Sequence, residues 1–165
     1  MKLLPLLAVA AFLVACQSAT PPDPRIAAMA DRLAIDQLVA GDYPRALDAR
    51  DWDAYVATFT ADGELVLGSN TAKGPAAMKQ LLSGLPADPP VIHVISNLSY
   101  TVTGDTAKGG AYWQDIGIGS SARGVVAAGH YVDALRKVGG TWKFTKREIV
   151  VQLGDAPPPA TPPSQ

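Results

Sequence analysis

Residues 91–118 read VIHVISNLSYTVTGDTAKGGAYWQDIGI, and in both halves of this stretch apolar residues tend to alternate with polar ones. Alternation with a period of two is typical of β strands. Gly104 and Asp105 lie between the halves, and a two-residue turn of this kind joins antiparallel strands. Residues 125–136 and 141–151 repeat the pattern around a Gly-Gly pair. The second part of the chain is therefore predicted to be an antiparallel meander.

Helical periodicity dominates the part of the chain before the meander. Apolar residues recur at helical spacing over 26–39. Pro44 predicts a break in this long helix, because proline lacks the N–H that a helix interior needs. Asp51 is the predicted N-cap of a short second helix. The apolar anchors of that short helix are expected to be Trp52, Tyr55, Val56 and Phe59.

A short strand and a third helix are predicted between these helices and the meander. The strand covers 64–67, and the glycine-proline pair at 74–75 opens a helix over 76–82. Helices that precede a run of strands indicate the α+β class. The predicted fold therefore has N-terminal helices packed on an antiparallel sheet.

The first sixteen residues have the pattern of a bacterial lipoprotein signal. Lys2 gives a basic start, and the apolar run that follows is shorter than the about 20 residues that a membrane-spanning helix needs. The run ends in LVAC, and Cys16 is the only cysteine of the chain. We expect a signal peptide over 1–15, acylation of Cys16 and a tether over 16–24. The mature protein would be lipid-anchored in the cell envelope, on the outer-membrane or periplasmic side.

The remaining composition is that of one globular domain over 25–153 with a proline-rich, disordered tail over 154–165. The chain is 48% hydrophobic and 18% charged, with a formal net charge of −1. Such a charge provides no basic field for nucleic acid. One cysteine and two histidines far apart in the sequence do not predict a metal site. No glycine-rich phosphate loop precedes a helix, so no cofactor is expected.

Several short motifs occur in an order similar to that of one known family. They are LDARDWDAY at 47–55 with Asp62-Gly63 behind it, His93-x-x-x-Asn97, Gly104-Asp105-Thr106-Ala107, Tyr131-x-Asp133, and GTWKF at 140–144. This order resembles the SnoaL-like branch of the nuclear transport factor 2-like superfamily, in which scytalone dehydratase is found. The resemblance implies a cone-shaped barrel in which a strongly curved sheet wraps the long helix and leaves a blind pocket at its open end.

Two residues of the pocket follow from this resemblance. Asp48 matches the pocket aspartate of scytalone dehydratase, and His93 matches its first pocket histidine. An aspartate beside an imidazole holds the ring in one tautomer, so that the other ring nitrogen can move a proton or a water. Leu47 and Leu67 stand where that dehydratase has tyrosines, and its second histidine has no counterpart near 116–118. Scytalone dehydration itself is therefore not expected.

The other site candidates come from strand alternation and from the motifs. Tyr131 and Asp133 share one strand face and are further candidate catalytic groups, Tyr131 as a hydrogen-bond donor and Asp133 as an acid or base. Expected ligand-binding residues are Leu47, Tyr55, Leu67, Asn97 and Trp113. Several of the candidates have a structural alternative: Asp48 as a local helix cap, His93 as a core residue, Asp133 paired with Arg147 or Arg136, and the aromatic residues as core.

Three functions remain open at this point. The first is binding of a small hydrophobic molecule in the pocket without assured catalysis. The second is a cofactor-free lyase, isomerase or hydrolase that uses Asp48 and His93 for proton transfer. The third is a dimerisation or protein-interaction module. Because both faces of the predicted strands carry apolar residues, a homodimer through the sheet is also expected.

Overall fold

The computed structural model describes residues 23–87 and 90–154. The helical elements are α1 (Pro24–Gln37), a π-helical turn (Leu38–Asp42), α2 (Tyr43–Asp48), α3 (Trp52–Ala57) and α4 (Gly74–Ser83). The strands are β1 (Phe59–Leu67), β2 (Asn70–Lys73), β3 (Val91–Thr103), β4 (Thr106–Ile118), β5 (Arg123–Val138) and β6 (Thr141–Leu153). The predicted signal peptide, Cys16 and nearly all of the predicted tail lie outside the described residues.

The α+β fold is confirmed, with the N-terminal helices on a six-stranded sheet of order β2-β1-β6-β5-β4-β3. Strands β3 to β6 form the predicted antiparallel meander. The expectation of a wholly antiparallel sheet was wrong, because β1 pairs with β6 in parallel. Alternation in a sequence predicts that a segment is a strand but does not say beside which partner, or in which direction, it will lie.

The N-terminal half departs from the prediction at two places. Phe59, expected on the short helix, is the first residue of β1, because that helix ends at Ala57. Strand β2 was not predicted, since its four residues are too few for alternation to stand out from a loop. Together β1 and β2 form a short hairpin that carries the chain from α3 to α4.

The predicted break near Pro44 is present as the π-helical turn directly before α2. A π turn takes one residue more per hydrogen-bonded ring than an α turn, so it redirects the helix axis without ending the helix. Asp51 caps α3 as predicted, its side chain accepting a 3.0 Å hydrogen bond from the backbone N–H of Ala54. These two features bring the residues between them against the sheet.

The face of the sheet turned away from the helices carries exposed apolar side chains. Val94, Tyr112 and Val132 are between 43% and 52% exposed. They leave both faces of β3 to β5 partly apolar, as the sequence indicated. The homodimer through this face stays a prediction.

Candidate active site

A cavity of about 620 Å³ lies between helices α2 to α4 and the inner face of the sheet. Its aromatic lining consists of Tyr43, Trp52, Tyr55, Trp113 and Tyr131. Leu47 and Leu67 also line it, so four of the five expected ligand-binding residues lie here. Its polar side chains include Asp48, Arg50, His93 and Asp115. The cavity is therefore mainly apolar, with a small group of ionisable residues on its wall.

The side chains of Asp48 and His93 are in direct contact within this cavity. Asp48 is the last residue of α2, and its Oδ1 lies 2.6 Å from Nδ1 of His93. The same carboxylate accepts the backbone N–H of His93, at 3.1 Å to Oδ1 and 3.4 Å to Oδ2. Because the carboxylate accepts both contacts, Nδ1 is the ring nitrogen that donates. The proton of the neutral ring is thus held on Nδ1, and Nε2 keeps its lone pair.

Asp115 lies on the other side of the same imidazole and was missed by sequence reasoning. It pairs directly with His93 across β3 and β4, and its Oδ1 lies 3.2 Å from Nε2. Burial raises the pKa of Asp115 above its ordinary value of 3.8, the His93 ring opposes this rise, and the charge of Asp48 adds to it. The imidazole therefore stands between two carboxylates, one at each ring nitrogen.

A β-bulge explains both the position of His93 and the failure to foresee Asp115. Counting outward from the turn, Thr103 pairs with Thr106 and Ser99 with Gly110, which would pair His93 with Ile116. The register shifts by one residue between Ser96 and Ser99, so that two residues of β3 oppose one of β4. Asn97 lies in this bulge with a left-handed φ of 52°. The shift moves residues 91–96 to the opposite face and turns His93 toward the cavity.

Two of the predicted site residues lie outside the cavity. Asn97 is exposed and serves the bulge instead. Asp133 is buried and is the counterion of Arg147, accepting two hydrogen bonds of 2.8 and 2.7 Å from its guanidinium. The hydroxyl of Tyr100 donates to the same carboxylate at 2.5 Å. The carboxylate of Asp133 is thus engaged in these three hydrogen bonds. Asp133 has the structural role of a partner to Arg147, one of the alternatives that the sequence left open.

Arg147 supports the cavity wall from behind. It is 0% exposed, and its guanidinium carbon lies 4.1 Å from the ring centre of Tyr43 and 3.8 Å from that of Tyr131. Burial opposes its charge, yet Asp133 together with Tyr43 and Tyr131 outweighs that effect, and the pKa of Arg147 is raised well above its usual range. Burial also raises the pKa of Tyr131 well above its usual value, so the phenol keeps its proton and can donate a hydrogen bond.

Arg50 also lines the cavity, and no sequence pattern indicated this position. Its backbone is left-handed, with a φ of 53°. Its guanidinium donates to the carbonyls of Leu85 at 3.0 Å and Pro86 at 3.2 Å, and lies 5.0 Å from the ring centre of Trp52. These contacts hold the segment that follows α4 against the helices.

The family comparison agrees with this architecture. A model of the SnoaL-like domain matches residues 27–148, and the chain belongs to that family. No curated protein gives a significant match. Among solved structures, a single-residue variant of Rv3472 from Mycobacterium tuberculosis, a protein of unknown function, superposes with a TM-score of 0.73 at 22% identity over 79% of this chain and 76% of its own.

Two further solved structures are similar at slightly higher identity. A proposed scytalone dehydratase from Novosphingobium aromaticivorans is 26% identical, with a TM-score of 0.68, and the match covers 78% of this chain and 89% of the other. LinA is 25% identical, also with a TM-score of 0.68, over 81% of this chain and 99% of its own. Their shared cone-shaped architecture is that of the nuclear transport factor 2-like superfamily.

Residues 23–87 and 90–154 contain neither a membrane-spanning helix nor a metal-binding cluster. No described helix is long and apolar enough to cross a bilayer. The described residues contain no cluster of three or more histidine, cysteine, aspartate or glutamate side chains placed to hold a metal ion. Asp48 and Asp115 do not form such a cluster with His93, because they approach opposite nitrogens of its ring.

Proposed function

We propose that this protein catalyses proton transfer on a small, mostly apolar molecule, as a lyase or isomerase. The observation that carries the proposal is the 2.6 Å contact between Asp48 and His93 on the wall of an aromatic cavity. An acid–base pair on such a wall acts where water is largely displaced by the ligand, which strengthens its electrostatic effect. A histidine that merely filled the core would not adjoin a cavity of this size.

Each residue of the pair has a separate task in this proposal. Asp48 orients the ring and stabilises the imidazolium that forms when Nε2 takes a proton. Nε2 is the atom that accepts the proton from the substrate and later returns it. Tyr131, whose hydroxyl stays protonated, is placed to donate a hydrogen bond to a substrate oxygen on which charge develops. The aromatic walls hold the apolar part of the substrate.

The similar structures support a reaction of this class. One of them carries the name of a dehydratase, and Asp48 and His93 match the pocket aspartate and first histidine that the scytalone dehydratase resemblance implies. The leucines at 47 and 67 line the cavity here, so the tyrosines of that enzyme have no equivalent at these positions. A different substrate from that of scytalone dehydratase follows.

Proton exchange at carbon provides a test that needs no natural substrate. In D₂O, the domain should accelerate deuterium uptake next to the carbonyl of uncharged bicyclic ketones such as 2-tetralone, followed by NMR. His93→Gln and Asp48→Asn should each lower the accelerated rate by about 10²-fold or more, the usual contribution of a positioned acid–base group. His130→Gln is the matched control, since His130 is not part of the cavity lining.

Two results would contradict this proposal. One is an exchange rate in the presence of the wild-type protein that equals the buffer rate for every ketone tried. The other is an accelerated rate that His93→Gln leaves unchanged. If the ketones bind without exchange, the second candidate, a binding protein for small hydrophobic molecules, accounts for the same cavity.

We propose further that the protein is exported and anchored by acylated Cys16. The support is the signal pattern of residues 1–16, which the described residues do not include. Expression of the full chain in a bacterium fed with alkyne-labelled palmitate should label the wild type but not Cys16→Ala, while Cys16→Ala should move from the membrane fraction to the soluble periplasm. Equal labelling of both proteins would refute the anchor.

A further inference from the structure

Asp115 has an acceptor oxygen without a donor. Its Oδ1 is buried and, although it lies 3.2 Å from Nε2 of His93, the geometry is not that of a hydrogen bond. No other side chain or backbone group of the described residues donates to this oxygen. Buried carboxylate oxygens in proteins are normally paired. Oδ1 itself is covered by protein, but the Asp115 side chain as a whole is 22% exposed and lines the cavity, so a ligand there can donate a hydrogen bond to the carboxylate.

The charges on the cavity wall favour a particular kind of ligand. Asp48 and Asp115 both adjoin His93, so while both carboxylates are ionised the three groups together carry a negative charge even when the imidazole is protonated. Arg50 is the other charged residue of the lining, and its guanidinium donates hydrogen bonds to the backbone carbonyls of Leu85 and Pro86. A carboxylate entering the cavity would meet this negative cluster, whereas a cation would neutralise it.

The aromatic residues next to Asp115 fit the same ligand. Trp113 is two residues away on the same face of β4, and its ring stacks on Tyr131 with the ring centres 6.1 Å apart. Trp113 is only 4% exposed, and its Nε1 has no hydrogen-bond partner among the described residues. Aromatic faces beside a carboxylate attract organic cations.

We propose that Asp115 makes the cavity selective for ligands whose polar end donates hydrogen bonds, with an organic ammonium favoured and a carboxylate excluded. This inference rests on the proposed small-molecule function and adds that the substrate carries a hydrogen-bond donor besides the oxygen that accepts from Tyr131. It also gives Asp115 a part distinct from that of Asp48. Asp48 positions the imidazole, and Asp115 binds the polar end of the ligand beside Nε2.

Three probes with the same ring system, similar size and different charge test this selectivity. They are 2-naphthylmethylamine, 2-naphthylmethanol and 2-naphthoate, with affinities measured by calorimetry at neutral pH. The wild type should bind the amine at least tenfold more tightly than the carboxylate, with the alcohol between them. Asp115→Asn should remove most of the advantage of the amine and change the alcohol little. Asp62→Asn is the control for charge, because Asp62 is exposed and lies outside the cavity.

The outcomes separate this inference from the function on which it rests. Equal or tighter binding of the carboxylate to the wild type would overturn the selectivity and leave the small-molecule function standing. Failure of all three probes to bind would count against both. An amine preference that survives in Asp115→Asn would also overturn the assignment, because another group would then be responsible.

A pH series on the wild type keeps the test decisive if Asp115→Asn does not fold. The groups that face Asp115 are His93 from β3, Asp48 from α2 and Tyr131 from β5, and Arg50 also lines the cavity. Protonation of Asp115 makes the cluster less negative and therefore weakens amine binding. The affinity for the amine should therefore rise as pH increases from about 3.8 toward neutral, and a flat profile would refute the proposal.

Discussion

Asp133→Asn should lower the free energy of unfolding by about 3–5 kcal/mol, the usual result of breaking a buried ion pair by removing one charge. The guanidinium of Arg147 is wholly buried, and Asp133 is its counterion through two short hydrogen bonds. Without that carboxylate, the positive charge keeps only the aromatic rings around it. Urea denaturation of the two proteins, followed by circular dichroism, measures the difference.

The exposed pair between Asp62 and Arg136 is the matched control. Its atoms lie 3.3 Å apart, but the side chains are 69% and 48% exposed, so water and salt screen their interaction. Asp62→Asn should therefore lower the free energy of unfolding far less than Asp133→Asn does. If Asp133→Asn lowers the free energy of unfolding no more than Asp62→Asn does, the prediction is contradicted, because the buried pair with Arg147 would then contribute no more to stability than an exposed pair.

A double replacement separates the effect of the two charges on stability from the effect of the volume that the two side chains fill. Asp133→Leu combined with Arg147→Met removes both charges and keeps most of the volume. It should be more stable than Asp133→Asn, because no unpaired charge is left buried. Arg147 also lies against Tyr43 and Tyr131, two walls of the cavity, so Asp133→Asn should weaken ligand binding as well as stability.

The second prediction concerns the bulge at Asn97. Asn97→Val disfavours the left-handed backbone that the bulge requires, so residue 97 should enter the ladder, and residues 91–96 should pair with β4 one position further along and turn over. His93 would then point to the outer face and lose its contact with Asp48. Because Ile92 and Val94 are apolar and 42% and 43% exposed, the reversed strand would still place apolar side chains inside. Proton-exchange activity should fall to the level of His93→Gln.

Modification of histidine by diethyl pyrocarbonate measures this reversal directly. The His93 side chain is 14% exposed in the native fold and should react much faster in Asn97→Val. Asn97→Gly is the control, since glycine adopts the left-handed backbone readily and preserves the bulge. It should keep His93 protected. Continued protection of His93 in Asn97→Val would contradict the prediction, because β3 would then keep the bulge despite the unfavourable backbone.

Much of the fold could be predicted from the sequence, because the signals involved join residues that are close together in the chain. Strand alternation and the glycine turns placed β3 to β6 with errors of two residues or fewer at their ends. Asp51 was recognised as a helix cap because capping joins residues three apart in the chain. Leu47, Tyr55, Leu67 and Trp113 were expected in the pocket, and the structure brings all four to the cavity lining.

The features that were not readable depend on contacts between distant segments. The parallel pairing of β1 with β6 joins residues about 80 positions apart, and nothing within β1 specifies that partner. Asp133 and Tyr131 share one strand face and look equivalent in the sequence. Only the approach of Arg147 from the next strand separates their roles, since it neutralises Asp133 and stacks against Tyr131.

By itself, then, the sequence determined the strands, the turns and the family-related pair of Asp48 and His93, because these follow from local backbone preferences and from motif order. Tertiary structure alone decided which groups surround His93. One extra residue in β3 reverses the faces of the strand beyond it and sets Asp115 beside Nε2. Alternation with a period of two cannot reveal such a shift where both faces of a strand are apolar, since either register buries apolar side chains.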